Sequence, residues 1–191
     1  METQKRIIAI SGSTRQSSSN LSLIRHIAQL YLGELDIKIF EELSGIPHFN
    51  PDLDNEVPPE NVLNFRRQLK QADGILICTP EYAMGVPGTL KNAIDWASRP
   101  ESDDEPPLVA FRGKIAALVS ASPGGLGGLR ALVHVRAILE NIGVLVLPDQ
   151  VAVSAAYEAF DEGGKLKDAR KAKQVADLAA NLAETIRKLK S

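Results

Sequence analysis

A run of hydroxyl side chains, S-G-S-T-R-Q-S-S-S-N at residues 11–20, directly follows an apolar run, R-I-I-A-I at 6–10. Where such a run opens a helix, its free N–H groups, hydroxyls and arginine can together bind an anion such as a phosphate. A turn that only caps a helix needs one hydroxyl, so the pattern predicts a phosphate site. The candidate donors are Ser13, Thr14, Arg15, Ser17, Ser18 and Ser19, and Asn20 either caps the helix or reaches the anion.

The familiar nucleotide-binding motifs do not match this loop. It lacks the G-x-x-x-x-G-K-[ST] of nucleoside triphosphatases and the G-x-G-x-x-G of classical dinucleotide folds, and G-G-L-G-G-L-R at 124–130 does not satisfy the latter either. The phosphate is therefore predicted to belong to a mononucleotide.

Other catalytic residue types show no pattern of their own. His26, His48 and His134 lack metal-ligand spacing, and no Ser-His-Asp or Cys-His set stands out, so we predict no metal and no nucleophile. His26 and His134 fall on predicted helices and are expected at the surface or an interface. Cys78 ends an apolar strand and is expected to be an inert core thiol.

Strand and helix patterns alternate along the chain. Short apolar runs predict strands at 6–11, 36–40, 74–79, 114–120 and 143–147. Apolar residues at helical spacing predict helices at 20–32, 59–72, 88–98, 127–141 and 168–190. This alternation is typical of a doubly wound α/β sheet of five parallel strands with helices on both faces. No break in composition marks a second domain, so residues 1–191 are predicted to form one domain.

Three loops of unusual composition leave the carboxyl ends of these strands. They are 11–20, P-E-Y-A-M-G-V-P at 80–87, and the turn at 121–127 that contains S-P-G-G. Ligands of doubly wound sheets bind at this edge, where the strand order reverses. The sequence therefore predicts one crevice lined by all three loops.

The composition of the chain limits the kinds of partner and the cellular compartment to be expected. The formal net charge of −2 gives no reason to expect nucleic acid or a membrane surface, and no stretch approaches the length of a membrane span. The start resembles no signal peptide, and the single cysteine excludes an intrachain disulfide. A cytoplasmic protein is the expectation.

The motifs together resemble the NADPH-dependent FMN reductases, a flavodoxin-like family that includes quinone, azo-dye and chromate reductases. G-S-T-R-Q-S-S-S-N at 12–20 is similar to the family's G-S-x-R-x-x-S-x-N. Further similar motifs are T-P-E-Y at 79–82, V-P-G-T-L-K-N-A-I-D-W-A-S-R at 86–99 and S-P-G-G-L-G-G-L-R-A at 122–131.

The resemblance implies a flavodoxin-like sheet in the order 2-1-3-4-5 and a site for FMN. It assigns the phosphate to Ser13, Arg15, Ser18, Ser19 and Asn20, and the flavin ring to Pro80, Glu81, Tyr82, Ala83, Met84, Ser122 and Gly125. The family usually has asparagine at the position of Ala83. This departure from the family pattern bears on flavin affinity and on substrate access.

The implied activity is hydride transfer from NADPH, or NADH, through FMN to a small acceptor such as a free flavin, a quinone, an azo dye or chromate. A flavin supplies the redox chemistry itself, which agrees with the lack of a catalytic nucleophile. The resemblance also implies a homodimer or a tetramer. Two alternative functions remain open: a flavodoxin-type electron carrier without nicotinamide-dependent turnover, and a protein that keeps the fold but has lost FMN.

Overall fold

The computed structural model describes residues 4–54 and 58–190. Its sheet has five strands: β1 (Lys5–Ser11), β2 (Leu35–Phe40), β3 (Gly74–Cys78), β4 (Ile115–Ala121) and β5 (Leu145–Val153). All pairings are parallel, and the order β2-β1-β3-β4-β5 confirms the predicted topology. The chain moves from β1 outward to β2 and then back across to β3, so the strand order reverses between β1 and β3.

Five helices cover the two faces of the sheet: α1 (Ser19–Leu30), α2 (Glu60–Gln71), α3 (Gly88–Ala97), α4 (Leu129–Asn141) and α5 (Ala169–Leu189). Apolar side chains of α1 and α5 form a core with one face, and those of α2, α3 and α4 form a core with the other. β3 and β4 are buried along their whole length because helices lie on both sides of them. The sequence pattern of continuous apolar runs predicted this correctly.

The strands end in register at the edge where the three loops begin. Ser11 of β1 pairs with Cys78 of β3, and Cys78 pairs with Val119 of β4. The ladder continues one residue further, since the Gly12 amide donates to the Cys78 carbonyl at 2.8 Å. The first two loops therefore leave the sheet at the same level, and the third leaves close above them.

The last strand differs from its prediction. A strand was predicted at 143–147, but β5 begins at Leu145 and continues to Val153. Gly143, at φ +86°, instead terminates α4. Pro148 directly follows the predicted range, yet β5 continues through it, because β5 is an edge strand whose register shifts between Ala116 and Leu118 of β4 and a proline is tolerated there.

The long loop between β2 and α2 is fastened to α3 and α2 by polar side chains. Trp96 Nε1 and Asn92 Nδ2 of α3 both donate to the Pro47 carbonyl, at 2.7 and 2.9 Å. Arg66 of α2 is fully buried, and its guanidinium lies 2.8 Å from the Asp54 carboxylate while donating to the Trp96 carbonyl. Trp96 is thus a core residue. Residues 55–57 of this loop lie outside the described residues.

One histidine was placed wrongly from sequence. His26 was expected at the surface or an interface, but it is only 8% exposed and packs within the fold, where burial lowers its pKa. Its helix, α1, faces both the sheet and the loop before α5, so more of its circumference is covered than a simple amphipathic pattern suggests. His134 of α4 is exposed, beside Gly85 of the second loop.

Candidate functional site

The first loop presents a cluster of N–H groups and hydroxyls at the start of α1. Ser18 caps the helix by accepting from the Leu21 amide at 3.3 Å, so the cap is Ser18 and not Asn20. The Ser11 hydroxyl braces the loop through both the amide and the carbonyl of Ser13. The amides of Thr14, Ser17 and Ser19 find no acceptor within residues 4–54 and 58–190. These free donors at a helix N-terminus suit an anion.

Asn20 points away from these donors and into the protein. Its side chain is buried, and it both donates to the Ala121 carbonyl at 2.8 Å and accepts from the Ala121 amide at 2.9 Å. The Cys78 thiol also donates to Asn20 Oδ1, at 3.2 Å. Asn20 therefore ties the start of α1 to the ends of β3 and β4, and burial raises the pKa of the Cys78 thiol so that it remains protonated.

Arg15 and Ser19 connect the first loop to the segment that follows β5. One guanidinium nitrogen of Arg15 donates to the Ser17 carbonyl at 2.9 Å, and the other lies 3.4 Å from the Tyr157 hydroxyl. The Ser19 hydroxyl donates to the Ala156 carbonyl at 3.2 Å. Arg15 thus stays at the solvent edge of the donor cluster.

The second loop folds into a tight two-residue turn. Tyr82 and Gly85 exchange both backbone hydrogen bonds, at 3.1 and 2.9 Å. The two residues between them, Ala83 and Met84, have φ values of +46° and +61°. This left-handed geometry favours glycine or asparagine and costs an alanine roughly 1–2 kcal/mol. The turn projects the exposed side chains of Tyr82 and Met84, while Pro80 beneath it is buried.

Glu81 anchors this turn to the start of α4. Its carboxylate accepts from the Arg130 amide at 3.1 Å and forms an ion pair with the Arg130 guanidinium, whose Nε lies 2.7 Å away. These hydrogen bonds hold the pKa of Glu81 below its ordinary value. A carboxylate that stays ionised and paired is a poor proton donor, so the geometry favours a structural role for Glu81.

Replacing Glu81 with glutamine should lower the free energy of unfolding by about 1 kcal/mol at pH 7, because one charge-assisted contact of a partly exposed pair is lost. Since folding lowers the pKa of Glu81, its contribution is present above the pKa of the unfolded chain and disappears as pH falls through the folded value. Urea unfolding at pH 7 and near pH 3.5 should therefore show the difference shrinking in acid. Glu140→Gln, in an exposed 3.5 Å pair with Arg136, is the control, and an equal loss in both variants would contradict this role.

The third loop combines two structural glycines with two open ones. A Cβ on Gly127 would lie 2.7 Å from the backbone carbonyl carbon of Val153, and a Cβ on Gly128 would lie 2.9 Å from the side-chain Cβ of Ser120. Gly124 and Gly125 have open space around them. Ser122 holds the loop to β5, since its amide donates to the Val153 carbonyl at 3.0 Å. The exposed tip at 123–126 is free to approach a ligand.

The site therefore has two chemically different ends. The first loop supplies N–H groups and hydroxyls, and the other two loops supply exposed apolar side chains with backbone groups between them. The exposed apolar residues there are Tyr82, Met84, Leu126, Leu129 and Val133. A flavin mononucleotide has the same polarity, with a dianionic phosphate at one end and a flat aromatic ring at the other, so the donor set fits this group.

Sequence reasoning found the three loops but missed some of their partners. Tyr157 and Arg130 both contact predicted site residues, and neither was singled out. Arg130 stands at the start of α4, and Glu81 is the one acidic residue of the loop 80–87, so their opposite charges were a signal available from the sequence. Tyr157 has no such signal, because its place depends on how the segment after β5 folds back.

Within the described ranges, no cluster of three or more histidine, cysteine or acidic side chains could hold a metal ion, and no helix has the length and apolarity of a membrane span.

Comparison with known proteins identifies relatives along nearly the whole chain. Residues 5–158 match the sequence profile described as NADPH-dependent FMN reductase. An NAD(P)H-dependent FMN reductase from Pseudomonas aeruginosa is 39% identical over 169 residues, which are 88% of this chain and 88% of that protein. A quinone reductase from Pseudomonas putida is 37% identical over 85% of this chain and 84% of that protein. Among solved structures, the flavoenzyme NAD(P)H:(acceptor) oxidoreductase FerB from Paracoccus denitrificans has a TM-score of 0.85 at 30% identity, and the match covers 97% of this chain and 98% of that one.

Proposed function

The chain belongs to the family of NADPH-dependent FMN reductases, and we propose that it reduces quinones with NAD(P)H at an FMN bound in the crevice between its three loops. That the protein is an FMN-dependent NAD(P)H oxidoreductase follows from this membership. The observation that supports the placement of FMN is the donor cluster at 13–19, which opens a helix at the point where the strand order reverses. A quinone as acceptor is supported by the quinone reductase among its relatives and by the exposed apolar rim.

The protein needs no nucleophile of its own, because a bound FMN would supply the chemistry of hydride transfer between nicotinamide and acceptor. The amides of Thr14, Ser17 and Ser19 and the guanidinium of Arg15 would hold its phosphate. The hydroxyls of Ser13 and Ser18 complete that end of the proposed site. Asn20 would act indirectly, by fixing the helix start against β3 and β4.

The second and third loops would hold the ring. The turn at Tyr82–Gly85 offers backbone groups to its polar edge, and those groups do not depend on the side chains of Ala83 and Met84. Pro80 and Glu81 set the position of the turn, and Ser122 and Gly125 form the opposite wall. The apolar side chains exclude water from the face where donor and acceptor would bind.

A single open face predicts that NAD(P)H and the quinone bind in turn. Steady-state rates measured over a grid of NADPH and quinone concentrations should give parallel double-reciprocal lines. Intersecting lines would argue for two separate sites and against the proposed crevice. A flavodoxin-type carrier, which would show no NADPH-dependent turnover, is not favoured because the matched relatives are reductases.

Ala83→Asn tests the second loop. Asparagine tolerates positive φ better than alanine, so the turn should become more stable, and FMN affinity should change by less than about 1 kcal/mol because backbone groups do the binding. The larger and more polar rim should instead shift the ratio of kcat/KM between a bulky quinone and a small one. Glu140→Gln, an exposed residue at the far end of α4, is the control. An unchanged ratio, or a large loss of FMN, would show that Ala83 does not govern acceptor access.

The exposed apolar face of α4 supports a homodimer. Leu129 and Val133 lie one helical turn apart on α4, Leu126 lies in the loop just before it, and all three side chains are exposed beside the proposed ring site. A contiguous exposed apolar patch of this kind marks a candidate protein interface. Light scattering after gel filtration should give about twice the chain mass.

We place the protein in the cytoplasm, which agrees with its buried free thiol, Cys78.

A further inference from the structure

The segment that follows β5 forms a fourth side of the donor cluster. Tyr157 lies across the first loop from Arg15, with the guanidinium carbon 5.2 Å from the centre of its ring and a guanidinium nitrogen 3.4 Å from its hydroxyl. The Ser17 carbonyl holds the other nitrogen of the same guanidinium at 2.9 Å. Arg15 is therefore held from two sides, although it lies in an exposed loop where an arginine otherwise samples many rotamers.

The backbone before Tyr157 is itself braced. The Ala156 amide donates to the Ser122 carbonyl at 3.3 Å, and the Ala156 carbonyl accepts from the Ser19 hydroxyl at 3.2 Å. Ala155 is held at φ +47°, a strained conformation that a non-glycine residue adopts only where its surroundings impose it. The segment thus links the third loop to the start of α1 and fixes the direction in which Tyr157 leaves the backbone.

Tyr157 has no packing role that would explain this arrangement. Its side chain is 67% exposed, and within residues 4–54 and 58–190 its hydroxyl and its ring find a polar partner only in Arg15. Removing an exposed aromatic ring should change the stability of the fold little.

We propose that Tyr157 is a positioning residue for Arg15, which it holds at the edge of the donor cluster so that the guanidinium meets the phosphate of FMN without a further loss of conformational freedom. This inference rests on the proposed function, because it needs FMN in the crevice. A charged donor that is ordered before the ligand arrives binds more tightly than one that must be ordered on binding. If Tyr157 instead drew Arg15 away from the phosphate, removing the tyrosine would tighten FMN binding.

The test is titration of the flavin-free full-length protein with FMN and with riboflavin, which has the same ring but no phosphate. Tyr157→Ala should raise the Kd for FMN by about 3–10-fold, the usual cost of ordering one long side chain on binding. Tyr157→Phe keeps the ring and should raise it by about 2-fold. Neither variant should change the Kd for riboflavin, and neither should lower the melting temperature of the flavin-free protein, since the residue is exposed.

A double variant separates positioning from direct contact. Arg15→Ala should weaken FMN binding by about 10-fold or more, as the loss of one charge-assisted hydrogen bond. If Tyr157 acts only through Arg15, adding Tyr157→Ala to Arg15→Ala should weaken binding no further. Additive effects, an equal loss of riboflavin binding, or unchanged or tighter FMN binding by Tyr157→Ala would each overturn the inference.

Titration of the wild-type protein separates a failure of the proposed phosphate site from a failure of the role of Tyr157. If it binds FMN no better than riboflavin, or binds neither, the proposed phosphate site itself is wrong. If it prefers FMN and loses that preference in Arg15→Ala but not in Tyr157→Ala, the proposed function survives and only the role of Tyr157 fails.

Discussion

Asp54→Ala should lower the free energy of unfolding by about 3–5 kcal/mol, because it leaves the guanidinium of Arg66 buried without its charged partner. Arg66 is fully buried and the Asp54 side chain is only 6% exposed, so little water can replace the lost carboxylate. The same pair fastens the loop between β2 and α2, which Trp96 and Asn92 hold from α3. Urea unfolding of both proteins under the same cofactor conditions measures the loss.

Arg99→Ala provides the matched control. Arg99 also reaches Asp54, at 3.4 Å, but it is half exposed, and removing it should cost less than about 1 kcal/mol. A loss of less than about 1.5 kcal/mol in Asp54→Ala, or equal losses in the two variants, would show that the buried pair does not hold the loop.

Gly127→Ala should lower the free energy of unfolding by roughly 3 kcal/mol. Gly127 has φ +61°, where an alanine is strained, and its new Cβ would lie 2.7 Å from Val153 C and 2.8 Å from Ser154 N of the chain after it. Backbone atoms cannot turn aside as a flexible side chain can. The third loop would have to move away from β5, so FMN binding should weaken together with stability.

Gly124→Ala, three residues earlier in the same loop, is the control for this prediction. Gly124 has a negative φ and open space around it, so the substitution should change stability by less than about 0.5 kcal/mol. Equal stability of the two variants in thermal unfolding would mean that the loop does not pack against β5 as described.

Much of the fold was predictable because burial on both faces leaves a plain sequence signal. In a chain of alternating strands and helices, the apolar run G-I-L-I-C at 74–78 indicates a strand buried on both faces of the sheet. The amphipathic pattern of α5 indicates a helix just as clearly. The end of β5 was not predictable in this way. Pro148 is a strand breaker in a central strand and a tolerated residue in an edge strand, and only the assembled sheet decides which applies.

The candidate site was predictable in its loops and less so in its side chains. Hydroxyls at a helix start indicate an anion site from sequence alone, but the direction of Asn20 depends on which backbone groups lie beneath it. The buried amide and carbonyl of Ala121 required a partner, and Asn20 supplies it. His26 was misplaced for a similar reason, since the loop that covers it lies more than a hundred residues further along the chain.

The most direct test of the central claim is to follow the visible flavin absorption of the FMN-loaded protein through the two halves of the reaction without oxygen. The protein should retain one FMN per chain, one equivalent of NADPH or NADH per flavin should bleach that band, and one equivalent of a quinone should restore it. If FMN is bound but neither nicotinamide nucleotide bleaches it, the protein is an electron carrier and not a reductase. If no FMN binds at all, the crevice between the three loops has been misassigned.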